Sequence, residues 1–230
     1  CSQCKRTERN DERVMDTVLV CGGCLQEEFA RNVIEHMHPD CVIGIDRGLN
    51  FCYRNHIRPD YILGDFDSID KEVLAYYESQ PDVSVKRYQP EKDATDTAIG
   101  MELAFKAGSD RIFLLGATGG RLDHYMGNLK TLITASRRNC QAWILDEQNA
   151  ITLLSRSAEL KKAEQFGTYI SFFSMGDCVK GLTLRGFKYP LTDYTMDNAD
   201  GIGISNEIEA ETASVTFSEG QVLMIMSKDK

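Results

Sequence analysis

A chain of 230 residues, 42% of them hydrophobic, can bury one substantial core or two small ones. Its 26 Lys and Arg against 35 Asp and Glu leave a net charge of −9, and with no basic run to offset it this excludes nucleic acid and polyanionic membrane surfaces as partners. No apolar run approaches the roughly 20 residues of a membrane-spanning helix, and no signal-peptide core precedes the first elements, so the chain reads as soluble and cytoplasmic.

Residues 1–16 form a polar lead, read as an N-terminal extension. It contains Cys1-x-x-Cys4, which with Cys21-x-x-Cys24 has the spacing of a zinc ribbon. Against zinc, Thr17-Val-Leu-Val-Cys21 reads as a buried strand and Gly22-Gly23 as a strand-to-helix turn, which favours free thiols in a reducing compartment. Cys41, Cys52, Cys140 and Cys178 look like small core residues.

From Thr17 to about Asp146 a short β-rich run repeatedly gives way to a turn and a helical pattern. Leu25, Phe29 and Val33 mark one helix face. Cys41-Val-Ile-Gly-Ile45 runs into Asp46, and Tyr61-Ile-Leu63 runs into Gly64-Asp65-Phe66-Asp67-Ser68. If the chain stays extended there, Asp65 and Asp67 point the same way, and two carboxylates so placed repel unless a cation lies between them. Oxygen-only ligands suit Mg²⁺; the plain alternative is an Asx turn leading into a helix over Ile69–Ser79. Val83-Ser-Val85 precedes Lys92-Asp93-Ala-Thr95-Asp96, which opens a helix with Ile99, Leu103 and Ala107 on its buried stripe. There Asp93 reads as the N-cap, with Asp96 in the first turn and free to point towards a metal.

Arg111–Leu115 is the next strand. It leads to Gly116-Ala-Thr118-Gly119-Gly120-Arg121, a glycine turn entering a helix N-terminus. This is not a Walker A loop, since it lacks the Gly-Lys-Ser/Thr ending, but free N–H groups and the helix dipole favour a phosphate there, and Arg121 is placed to grip one. The alternative is a tight turn beside a surface arginine. Leu122, Tyr125, Met126, Leu129, Leu132 and Ile133 follow at helical spacing as a core stripe. His124 is read as a surface or packing histidine rather than a base, and Trp143, in the closing strand Ala142–Leu145, as packing.

Strands alternating with helices over 17–149, each strand apolar throughout, predict an α/β fold: a Rossmann-like parallel sheet with helices on both faces. In such a sheet ligands bind outside the carboxyl ends of the strands, where Asp46, Asp65, Asp67 and the Gly116 turn all stand. Beyond about residue 150 the helical period disappears. Tyr169–Phe173, Leu182–Leu184, Gly203–Ser205, Ala213–Phe217 and Val222–Met226 read as short strands separated by turns such as Lys180-Gly181, predicting a small antiparallel β-sandwich over 150–230.

Gly64-Asp-Phe-Asp-Ser68, Asp93-x-Thr-Asp96, Gly116-x-Thr-Gly-Gly-Arg-Leu-Asp123 and Gly203-Ile-Ser-Asn206 occur in an order and at a spacing that resembles the thiamin pyrophosphokinase (thiamine diphosphokinase) family, over about residues 17–227. The resemblance implies a Rossmann-like domain, a C-terminal β-sandwich, and a homodimer with active sites between the subunits. It implies a reaction in which thiamine's primary hydroxyl attacks the β-phosphorus of MgATP and AMP leaves. By position, Asp65, Asp67 and Asp96 look like the Mg²⁺ ligands and catalytic carboxylates, with Asp46 supporting the metal-nucleotide site. Gly116, Thr118, Gly119, Gly120 and Arg121 look like ATP contacts, Asp123 like a partner for the thiamine aminopyrimidine, and Asp93 like a further substrate contact. Ser205 and Asn206 resemble residues that complete the thiamine pocket across the dimer. The chain departs from the family in having Arg47-Gly48 where two glycines are expected, and in lacking a tryptophan in Val222–Met226. Two other readings remain at this point: a Mg²⁺-dependent phosphohydrolase with a DxD nucleophile, and a non-catalytic zinc or nucleotide-binding module.

Overall fold

The computed structural model describes residues 14–67, 69–87 and 95–229. The first half alternates as expected: β1 (Asp16–Val20), α1 (Glu27–Met37), β2 (Cys41–Ile45), α2 (Gly48–Arg54), β3 (Tyr61–Gly64), α3 (Lys71–Glu78), β4 (Ser84–Arg87), α4 (Asp96–Ala107), β5 (Arg111–Leu115), α5 (Leu122–Arg137) and β6 (Gln141–Leu145). Then come β7 (Asn149–Leu154), β8 (Ala158–Lys161), β9 (Tyr169–Ser174), β10 (Cys178–Arg185), β11 (Leu191–Asp197), β12 (Thr212–Thr216) and β13 (Val222–Ser227). Among the described residues no helix is long and apolar enough to cross a membrane.

The strands of β1 to β6 pair in parallel in the order β4-β3-β2-β1-β5-β6. Period-2 geometry sends alternate residues of β1 to opposite faces, and both faces are covered: Leu19 and Cys21 join a core with α4 and α5, while Val18 and Val20 join one with α1, α2 and α3. An apolar strand therefore needs no polar side.

The sheet does not stop at residue 150. Antiparallel β7, β13 and β9 continue it into nine strands, and a separate four-stranded sheet, β11-β10-β12-β8, packs its inner face on that extension. Phe172, Met224 and Val222 from the large sheet and Leu182, Leu184 and Val215 from the small one form the shared core. The expected sandwich is present, with one of its layers being the far half of the same sheet that carries the Rossmann-like unit.

Several local expectations change. Lys180-Gly181 is not a turn between strands but a bulge inside β10, where the register to β11 shifts and Gly181 takes φ 66°. Gly203–Ser205 is a turn rather than a strand, with Ser205 at φ 55° and only Asn206 bridging to Ile170. On α5 the stripe holds at Leu129 and Leu132, whereas Leu122 is 78% and Met126 54% exposed, because the first turn stands beside a cavity instead of over the sheet. Cys178 is half-buried rather than core, while Cys41, Cys52 and Cys140 are buried as expected.

Candidate active site

Strand order reverses direction between β1 and β5: from β1 the chain winds outward through β2 and β3, and from β5 the other way to β6. Loops leaving the carboxyl ends of such neighbours part company and leave a crevice. A cavity of about 550 Å³ lies there, lined by the loop after β1, by Asp46 and Arg47 after β2, by Thr95 to Thr97 at the start of α4, and by Gly116 to Arg121 with His124 and Asn128. The two glycine loops are tied together, Gly23 N–H donating to Gly116 O at 3.0 Å and Cys21 N–H to Leu115 O at 2.8 Å.

Asp46 is the most perturbed acid of the group. Its backbone sits at φ 46°, a conformation Asp tolerates better than most residues, and Leu49 N–H donates to its carbonyl as α2 begins. The Oδ1 atom is buried and has no hydrogen-bond partner. Burial first, then the Asp96 carboxylate and Asp65, push its carboxyl up to about 7, against a smaller downward pull from Arg47. Gly64 allows this approach: a Cβ there would lie 1.9 Å from Asp46 Oδ1. Arg47 keeps ordinary helical dihedrals with its side chain exposed, so a second glycine is not needed at that position.

Asp65 and Asp67 do not sit on an extended strand. The strand ends at Gly64, Phe66 takes φ 63° and buries its ring, and Asp67 N–H donates to Asp65 Oδ1 at 3.0 Å, so the Asx turn is present. Both carboxylates are exposed and both lie outside the cavity lining, although Asp65 acts on Asp46 electrostatically. Asp96 lines the cavity in the first turn of α4, but the N-cap is Thr95, whose Oγ1 accepts from Ala98 N–H at 3.3 Å. Asp93 and Ser68 fall outside the described residues, as do Cys1 and Cys4.

The Gly116 turn has the expected left-handed glycines, with Gly116, Gly119 and Gly120 at φ 67°, 76° and 66°. Asn128, buried on α5, donates from Nδ2 to Ala117 O at 2.8 Å and fixes the turn to its helix. An asparagine interrupting an apolar stripe is the sequence signal that marks it. Arg121 and Asp123, both exposed, face one another: Nε donates to Oδ1 at 3.1 Å and Nη2 to Oδ2 at 2.5 Å. This pairing holds the Asp123 carboxyl down at about 2.

Ser205 and Asn206 are elsewhere. Their turn runs along β9, with Ser205 N–H on Ser171 Oγ and Asn206 paired to Ile170. Between β5 and β9 lie β6, β7 and β13, four strand spacings or about 19 Å. Asn206 is buried and both ends of its amide are engaged: Oδ1 accepts from Tyr189 N–H and Glu207 N–H, and Nδ2 donates to Tyr189 O. That clamp holds the backbone of Tyr189, whose ring is 56% exposed and which the sequence reading had not singled out.

The donor set is oxygen-only, with an orphaned buried carboxylate oxygen on a carboxyl raised by burial and by its like-charged neighbours, and this fits a hard divalent cation. Among the described residues no three acidic, His or Cys side chains form a metal cluster on their own. A Mg²⁺ site that takes its remaining ligands from substrate phosphates and water has that character. Of the paired CxxC motifs, Cys21 is a buried core thiol raised by burial to about 12 and Cys24 is exposed, while Cys1 and Cys4 lie outside the described residues.

Residues 34–144 match the model of the thiamin pyrophosphokinase catalytic domain, and residues 157–222 that of the thiamin pyrophosphokinase vitamin B1 binding domain. Thiamine pyrophosphokinase of Bacillus subtilis is 34% identical over 188 residues, covering 81% of this chain and 87% of that protein. A crystal structure of thiamine pyrophosphokinase from Bacillus subtilis superposes with a TM-score of 0.83 at 29% identity, over 94% of this chain and 100% of that one. Yeast thiamin pyrophosphokinase, at 14% identity, shares the fold with a TM-score of 0.79 over 95% of this chain and 87% of its own. With both domain models matched in order and a relative above 30% identity along most of its length, the chain belongs to the thiamin pyrophosphokinase family.

Proposed function

We propose that the protein transfers diphosphate from ATP to the primary hydroxyl of thiamine, yielding thiamine diphosphate and AMP. The observation that carries this reading is the cavity at the switch point, where the Asp46 and Asp96 carboxylates face a glycine turn ending in Arg121. Phosphoryl-type transfer asks a protein for alignment and charge neutralisation more than for covalent help, and this site offers both.

Asp65, Asp67 and Asp96 would hold Mg²⁺, with Asp46 behind them, and the ion would neutralise charge building on the transferred phosphates. The N–H groups of the Gly116 to Gly120 turn and the α5 N-terminus bind the polyphosphate, and Arg121 grips it. Asp123 pairs with the thiamine aminopyrimidine, and Asp93 is assigned to the same substrate. Residues 17–149 form the nucleotide-binding unit and 150–230 the thiamine-binding one.

Ser205 and Asn206 complete the pocket from a second copy of the chain. The roughly 19 Å between them and the cavity within one subunit supports this arrangement. So do exposed Leu122 and Met126 at the cavity and exposed Ile202 and Ile204 at the turn, two apolar surfaces that a homodimer would cover. In that dimer Asn206 acts through Tyr189, presenting its ring as the aromatic face for thiamine. Unpaired cysteines throughout the described residues support a cytoplasmic setting.

Two outcomes test the reading. Incubation with MgATP should release AMP only when thiamine is present; ADP, or phosphate released without thiamine, would point to a kinase of another type or to a phosphohydrolase. Asn206→Ala should raise the KM for thiamine by about tenfold with the KM for ATP little changed, since freeing the Tyr189 loop removes about 1–2 kcal/mol of preorganisation. Equal effects on both substrates would remove Tyr189 from the thiamine pocket.

A further inference from the structure

We propose that Arg47 is a second phosphate-binding arginine, holding the triphosphate of ATP at the β2 end of the crevice while Arg121 holds it at the β5 end. The proposal rests on the proposed function, since it takes ATP as the ligand of the cavity, but not on the family resemblance, which expects a glycine at this position.

Strands β2 and β5 flank β1, so the loops that carry the two arginines leave the sheet two strand spacings, or about 10 Å, apart. Both arginines line the same cavity. The root of Arg47 is fixed by its surroundings. Asn50 N–H donates to its carbonyl at 3.1 Å as α2 begins, and Gly48 beside it packs so closely on β1 that a Cβ there would lie 2.0 Å from Val20 O. Gly22, in the loop after β1, lies against that root: a Cβ added to it would come 3.3 Å from Arg47 N and 3.4 Å from Arg47 Cβ. The Arg47 side chain therefore starts over the exit of the central strand, with only the glycines of the β1 loop, Gly22 and Gly23, beneath it. Among the described residues its exposed guanidinium has no hydrogen bond or ion pair, whereas Arg121 already holds Asp123. Its charge reaches Asp46, whose raised carboxyl it pulls down, so it stands beside the acids that would face Mg²⁺. A divalent ion cancels only part of a triphosphate's charge, and Arg121 serves only one end of the crevice. A planar guanidinium at the other end can take two phosphate oxygens at once. The bond that breaks lies between the α- and β-phosphorus, and cations at both ends of the chain keep its two fragments aligned with the attacking hydroxyl.

Calorimetry on the full chain with Mg²⁺ and an ATP analogue carrying a methylene between the α- and β-phosphorus reads the contact without turnover. The Arg47→Ala variant should bind the analogue about tenfold more weakly than the unaltered protein, with Arg47→Lys between the two. Inorganic triphosphate, titrated alone, should show the same loss of about tenfold. In turnover the KM for MgATP should rise in step, while kcat, the KM for thiamine and the melting temperature stay as they were. An Arg47 that only balances Asp46 predicts the opposite sign: removing a cation beside the carboxylates favours Mg²⁺ and leaves the analogue as tight or tighter, which overturns the proposal. So does a loss for the analogue with none for triphosphate, which would put Arg47 on the nucleoside. If the alanine variant matches the unaltered protein in both titrations and the unaltered protein still forms AMP from MgATP and thiamine, Arg47 is excluded and the functional reading stands. If the titrations show the loss but no thiamine diphosphate is ever formed, the functional reading falls and Arg47 remains a triphosphate contact. If the unaltered protein binds no analogue, both fall together.

Discussion

The Asp65→Asn variant is expected to form AMP about 10²–10³ times more slowly than the unaltered protein at saturating ATP and thiamine, with its thermal unfolding unchanged. The substitution separates charge from structure unusually well. Asp65 Oδ1 accepts the Asp67 N–H that closes the turn after β3, and an asparagine Oδ1 can accept it in the same geometry. The residue is exposed, so no buried group is left unpaired. What the change removes is a negative charge beside Asp46 and Asp96, the charges that would neutralise the metal and orient it on the phosphates. Steady-state AMP formation alongside a melting curve checks it. Retention of most of the rate would take Asp65 out of the metal site; a lost fold would mean that the turn, not the charge, is what the residue supplies.

The Gly48→Ala variant is expected to lose about 3 kcal/mol of stability, lowering the melting temperature by about 6–12 °C. A Cβ at Gly48 would lie 2.0 Å from Val20 O and 2.7 Å from Val20 C, at the end of the central strand β1. Those are backbone atoms held in ladders to β2 on one side and β5 on the other, so they cannot swing aside as a side chain would. The methyl must displace α2 from the sheet, and α2 carries Leu49, Phe51 and Cys52 into the core. Because the loop from β2 to α2 begins at Asp46, activity should fall along with stability. An unchanged melting temperature would show that α2 is free to shift.

Much of the catalytic half was legible without coordinates. Strands apolar on both faces specify a covered parallel sheet, and acids and glycines just beyond their last residues specify the edge where a ligand binds; both are local patterns that any parallel sheet with right-handed crossovers reads the same way. The small sheet was harder. The strands β8 and β11 carry mixed polar sequences, Ala158–Lys161 and Leu191–Asp197, whose alternation is broken by edge exposure, and Gly181 looked like a turn because a bulge and a turn use the same residue. Helix α2 is only seven residues and too short to show a period.

What the chain settled by itself was the set of parts in its first half: the parallel strands, the acids that stand at their ends, and the family they resemble, because each is a property of neighbours along the backbone. The pairing of those parts was decided only in three dimensions. The continuous nine-stranded sheet, the buried unpartnered oxygen of Asp46, its coupling to Asp96 and the wide separation of Asn206 from the cavity all depend on distances between groups remote in sequence, and burial and charge coupling arise from those distances.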